Sequence, residues 1–125
     1  MQYQFSAQFL SQIVLLAKEI AFHQRGERKL QDVGVLIAKY EHEQEELTES
    51  EHPEEEWPDL LYYALCIAAQ GEPVYLSQVQ HELERSGISQ EQIERATLAK
   101  YRIRAEGPNS KDFIRERAAI QAALQ

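Results

Sequence analysis

Apolar residues recur every three or four positions along most of this chain, and nowhere do they alternate as a half-buried strand requires. Phe9, Ile13, Leu16 and Ile20 predict a first helix over residues 6 to about 23, and the pattern breaks over 24–29 around Gly26. Val33, Leu36, Ile37, Tyr40 and Leu47 predict a second helix from about 30 to 47, followed by a polar break over 48–53. The run EEEWPDLLYYALCIAAQ, residues 54–70, predicts a third helix. Its acids fall in the first turn, where the helix dipole favours them, and its continuation is apolar on nearly every side. That helix should be the most buried.

Gly71, Glu72 and Pro73 end it, and residues 74–86 predict a short helix stopped by Gly87. Ser89 and Gln92 have capping-box spacing and open a helix that runs to about Ala105. A turn at Gly107, Pro108 and Asn109 follows, with Ser110 the expected N-cap of a last helix to about Leu124. The expected architecture is all-α, one domain over residues 1–125, with a four-helix-bundle-like core and additional short helices.

Composition narrows the function classes. At 43% hydrophobic and 27% charged, the 125 residues have a globular balance. One cysteine, Cys66, excludes an intramolecular disulfide, a zinc ribbon and a CxxC redox site, and its thiol is expected to pack as a small apolar group. The longest uninterrupted apolar run, residues 60–69, is too short to span a bilayer, and the N-terminus has no basic leader pattern. A soluble, cytoplasmic protein is expected. The net charge of −8 argues against a general nucleic-acid binder, which would normally be basic.

The charge is also segregated. Residues 41–59 hold ten acidic side chains and no Lys or Arg, whereas residues 95–117 hold seven basic ones against Glu106, Asp112 and Glu116. An acidic centre and a basic C-terminal third suggest complementary surfaces.

Acidic runs are most often solvated faces, so position on the helix decides between the readings. Glu43 lies seven residues after Leu36, three after Tyr40 and four before Leu47, within the apolar stripe itself. A carboxylate there faces other helices and needs a cation, a hydrogen-bond network or a metal ion. Glu46 projects from nearly the same face, and Glu56 and Asp59 repeat the i, i+3 spacing on the third helix. A short connection makes the two helices antiparallel and brings both pairs to one end of the bundle. Four converging carboxylates suit a hard divalent cation, magnesium or manganese rather than zinc. A ferritin-like di-iron site is disfavoured, because the one ExxH, Glu49 to His52, abuts Pro53. His42 and His52 read on their own as surface or polar-network histidines.

The segments KYEHEQEEL, residues 39–47, and EEWPDLLYYA, residues 55–64, resemble the EExxE…ExxD signature of the MazG-like superfamily of all-α nucleoside triphosphate pyrophosphohydrolases. That superfamily includes dUTPase-type, dCTP-pyrophosphatase-type and phosphoribosyl-ATP pyrophosphohydrolase members. The likeness is close in the two motifs and loose from about residue 8 to 104. It implies a MazG fold and a metal site of Glu43, Glu46, Glu56 and Asp59 holding Mg2+, with Mn2+ an alternative. It also implies phosphate contacts from Lys100 and Arg104, with Arg102 a weaker candidate. Two departures stand out. His42 occupies the place of the first Glu of EExxE, and Pro58 lies inside the second motif, where a first-turn position would bring Asp59 close to the helix start.

The reaction the resemblance implies is Mg-dependent hydrolysis between the α- and β-phosphates, giving a nucleoside monophosphate and pyrophosphate. Glu43, Glu46 and His42 would then be the catalytic residues, His42 or a free carboxylate taking the proton of the attacking water. Trp57, Tyr63 and Tyr101 are candidate base-stacking partners, although ordinary core packing is the better reading of each. The competing expectation is a catalytically degenerate bundle that binds nucleotide or protein. Relatives of this kind are usually dimers or tetramers, so a homodimer or homotetramer is expected, with no nucleic-acid or membrane partner.

Overall fold

A computed structural model describes residues 4–23 and 32–125. Six helices make up the architecture: α1 (Ala7–His23), α2 (Val33–Glu49), α3 (Pro53–Ala68), α4 (Val74–Ser86), α5 (Gln90–Arg104) and α6 (Phe113–Leu124). The described residues contain no strand, as the periodicity predicts. The break expected at Gln24, around Gly26, and on to residue 29, together with the start of the second helix at residue 30, lies outside the described residues.

Helix α3 is the axis of the core. Leu60, Leu61, Ala64 and Ile67 are fully buried, and Trp57, Tyr62, Tyr63 and Leu65 nearly so, so that it meets neighbours on every side. Phe9, Ile13 and Ile20 of α1, Leu36 and Tyr40 of α2, Val79 and Leu83 of α4, and Ile93 and Tyr101 of α5 close around it. Each such aliphatic side chain contributes roughly 1.5–3 kcal/mol when buried. Helix α6 packs chiefly along α5. Cys66 sits partly buried against this core, where burial pushes its thiol up to about 12, and it behaves as the small apolar group expected.

The helix ends follow local chemistry, with three differences from the sequence reading. Helix α2 runs to Glu49, two residues past Leu47, and closes with the Ser50 N–H donating to the Glu46 carbonyl. The break therefore shrinks to Ser50, Glu51 and His52, which forces α3 back antiparallel to α2. Pro53 takes the first position of α3, where its missing N–H costs nothing, so Pro58 stands beyond the first turn and Asp59 lies deeper than expected. At α6 the N-cap is Asp112, whose carboxylate accepts from the Arg115 N–H. Ser110 instead donates to the carbonyls of Arg104 and Gly107 and closes the turn after α5. Asp32 caps α2, the Ser89–Gln92 capping box forms at α5, and Gly87 ends α4 at φ 84°, a conformation that favours glycine.

Candidate functional site

The antiparallel return of α3 beside α2 determines what the acidic segment can do. Tyr40 is buried, its ring edge-on to Tyr75 of α4, and one turn later the same stripe places Glu43 half buried. Glu46 follows on α2, and Glu56 approaches from α3. One carboxylate oxygen from each of Glu43, Glu46 and Glu56 lies within 4.8 Å of the other two. Three of the four expected carboxylates thus converge from two helices.

Their electrostatics are those of a crowded anionic site. Glu43 Oε2 is buried with no hydrogen-bond partner, although buried polar atoms are almost always satisfied. Burial, then the charges of Asp59 and Glu46 and a hydrogen bond shared with Glu46, push the Glu43 carboxyl up to about 8, with Lys100 opposing. Burial and the same two neighbours also raise Glu56. Glu43 therefore holds a proton at neutral pH. An all-oxygen donor set with an orphaned buried lone pair fits a hard divalent cation, which would take the place of that proton.

Asp59 lies next to the three glutamates with both oxygens engaged. Lys100 Nζ is 2.6 Å from Oδ1 and 2.7 Å from Oδ2, and the Tyr101 hydroxyl donates to Oδ1 at 2.5 Å. Asp59 and Lys100 are 7% and 6% exposed, so this is a buried ion pair. Arg104 is committed in the same way. Its Nε and Nη2 donate to Glu116 on α6 at 3.1–3.3 Å, and the Asp112 N–H donates to Glu116 Oε2. Glu116 is 2% exposed, and its Oε1 stands 3.9 Å from Lys100 Nζ. The expected phosphate-binding pair is thus held from behind by a carboxylate on each member.

Glu43, Glu46, Glu56, Asp59, Lys100, Arg104 and Glu116 line one cleft of about 560 Å³. His42 stands at its edge, two-thirds exposed, with Nε2 2.9 Å from Glu46 Oε1. His52 lines it too, its Nδ1 3.6 Å from Glu54. Arg102 is exposed and outside the cleft. A second pocket of about 220 Å³ adjoins, walled by Tyr62, Tyr63 and Tyr101, the rings of Tyr62 and Tyr101 stacked at 3.7 Å and 6°. Tyr63 lines both cavities and Tyr101 the second, whereas Trp57 is in the core and lines neither.

Sequence reasoning passed over Glu116, Lys39 and Lys111. The signal for Glu116 was present: it lies four residues before the buried Ile120, the placement within a stripe that singled out Glu43. No protein-family model, curated protein or solved structure matches this chain.

Proposed function

We propose that this protein is a magnesium-dependent nucleoside triphosphate pyrophosphohydrolase of the MazG-like kind, cleaving between the α- and β-phosphates to give a nucleoside monophosphate and pyrophosphate. The observation that carries the reading is the convergence of Glu43, Glu46 and Glu56 around an unsatisfied buried oxygen, facing lysine and arginine side chains across one cleft. Mg2+, or Mn2+ in its place, would supply charge neutralisation and acidify water when held by these carboxylates.

The remaining work falls to side chains of this chain. Lys100 and Arg104, fixed by Asp59 and Glu116, present positive charge that need not reorganise as charge builds on the departing pyrophosphate. His42, exposed at the rim, accepts the proton of the attacking water while that water's oxygen bonds to phosphorus and the bridging P–O bond breaks. The tyrosine-walled pocket offers ring faces to a base. Assembly into a homodimer or homotetramer fits the exposed Leu15 and Phe22 on α1. No helix among the described residues is long and apolar enough to cross a membrane.

A second reading has its own support. Asp59, Lys100, Arg104 and Glu116 satisfy one another, and His42 replaces an acid of the motif, which suits a bundle that binds nucleotide without turning it over. Pyrophosphate release from ribo- and deoxynucleoside triphosphates with Mg2+ separates the two. Release lost in Glu46→Gln supports the hydrolase, and nucleotide binding without release supports the binding module.

A further inference from the structure

The cations expected to meet phosphate are each paired with a carboxylate, whereas two lysines at the margin of the cleft are not. Four residues line both the acidic cleft and the tyrosine-walled pocket: Lys39, Tyr63, Arg104 and Lys111. They form the waist between the two cavities. Arg104 is spent on Glu116. Lys39 and Lys111 have no ion pair among the described residues, and Lys111 Nζ instead rests 4.7 Å from the Phe113 ring centroid. No Asp or Glu lines the tyrosine-walled pocket.

Lys39 reaches the waist from α2, one turn before Glu43 and on the same face. Lys111 reaches it from the turn between α5 and α6, whose shape the Ser110 hydroxyl fixes through the carbonyls of Arg104 and Gly107. Two ammonium groups therefore arrive from separate elements at the waist between the cation-binding glutamates and an aromatic pocket. The acid one turn after Lys39 is Glu43, which makes no ion pair with it and lines the cleft beside Glu46 and Glu56. Among the described residues no carboxylate pairs with Lys39, whose ammonium can meet a ligand at the waist.

We propose that Lys39 and Lys111 are the direct phosphate-binding cations of this protein, clamping the polyphosphate at the waist, while Lys100 and Arg104 form a buried frame behind it. The inference rests on the triphosphate reading for its substrate, and the phosphate chemistry stands by itself. Each lysine supplies a charge-assisted hydrogen bond to a phosphate oxygen, and loss of both should weaken binding about tenfold or more.

Inorganic tripolyphosphate binding, measured by calorimetry with Mg2+, tests it on wild type, Lys39→Gln/Lys111→Gln and Lys18→Gln. Lys18 lies on α1 outside both cavities, and its substitution controls for the loss of one positive charge elsewhere on the chain. The expected result is a tenfold or greater loss in the double variant alone, with Mn2+ affinity and thermal midpoint unchanged. Equal affinity in the double variant, an equal loss in Lys18→Gln, or no binding by wild type would overturn it. Nucleotide hydrolysis by the same proteins keeps the two ideas apart. Tripolyphosphate loss without any turnover in wild type upholds the clamp and sinks the hydrolase. Turnover with an unchanged KM in the double variant upholds the hydrolase and sinks the clamp.

Discussion

Asp59 shows how one residue type serves two purposes in a single motif. Its place beside Glu56 made it a ligand candidate, yet Lys100 and Tyr101 occupy both its oxygens. That engagement was invisible in sequence, because 41 residues separate Asp59 from Lys100 and only packing of α5 on α3 joins them. Asp59→Asn leaves the buried Lys100 ammonium with Glu116, 3.9 Å away, as its remaining ion-pair partner, which costs about 3 kcal/mol. Urea unfolding in the presence of a chelator checks this, and a loss under about 1 kcal/mol would contradict the pairing. Glu43 was legible, since its position in an apolar stripe requires burial, but its retained proton depends on Asp59 and Glu46 nearby.

That proton gives the apoprotein a pH dependence of definite sign. In the unfolded chain Glu43 ionises near 4.5, whereas the folded protein holds its proton to about 8. Between those values the native state binds more protons, so the Glu43 contribution is complete below about pH 4.5 and is lost as pH rises toward 8. Glu56, also raised, acts in the same direction. Permanently neutral Glu43→Gln should melt above wild type at pH 8 with chelator present and near wild type at pH 5. An offset equal at both pH values would show that the carboxyl ionises normally.

At the scale of elements, α3 was the most legible because its apolar run leaves no polar face, and the structure buries it on all sides. Helix ends were harder wherever two caps competed. Ser110 and Asp112 both precede α6, and Asp112 prevails because the Ser110 hydroxyl is drawn to the carbonyls that end α5. Asp112→Ala should therefore destabilise the protein by about 1 kcal/mol through the lost Arg115 N–H acceptor. Denaturant midpoints measure it, and an unchanged midpoint would place the cap elsewhere. Pro58 was expected in the first turn, but Pro53 fills the first helical position, one residue before the expected start, and leaves Pro58 and Asp59 beyond the first turn.

Across the whole molecule, the segregated charge resolves into paired surfaces. Arg117 holds Glu55 at 2.9 Å, Arg115 holds Glu106 at 2.6 Å, and Arg104 holds Glu116, so much of the basic C-terminal third is spent inside the chain. Within the cleft, Glu43, Glu46 and Glu56 have no Lys or Arg ion pair among the described residues. A cation bound there stabilises the fold by mass action, so Mn2+ should raise the thermal midpoint of wild type and leave that of Glu43→Gln unmoved. Leu15 and Phe22 stand exposed two turns apart on α1, with Lys18 and Glu19 between them, and are the apolar positions a second copy would cover. Light scattering is expected to give the mass of two or four chains, and a mass of one chain would contradict assembly.

The central claim is that the three-glutamate cleft hydrolyses nucleoside triphosphates. Its most direct test is pyrophosphate release with Mg2+ across the ribo- and deoxynucleoside triphosphates, run beside Glu46→Gln. The account predicts release from at least one nucleotide, lowered at least a hundredfold in the variant, as removal of a group that acts on the transition state would do. Release of equal rate in the variant, or none from any nucleotide with Mg2+ or Mn2+, would contradict it.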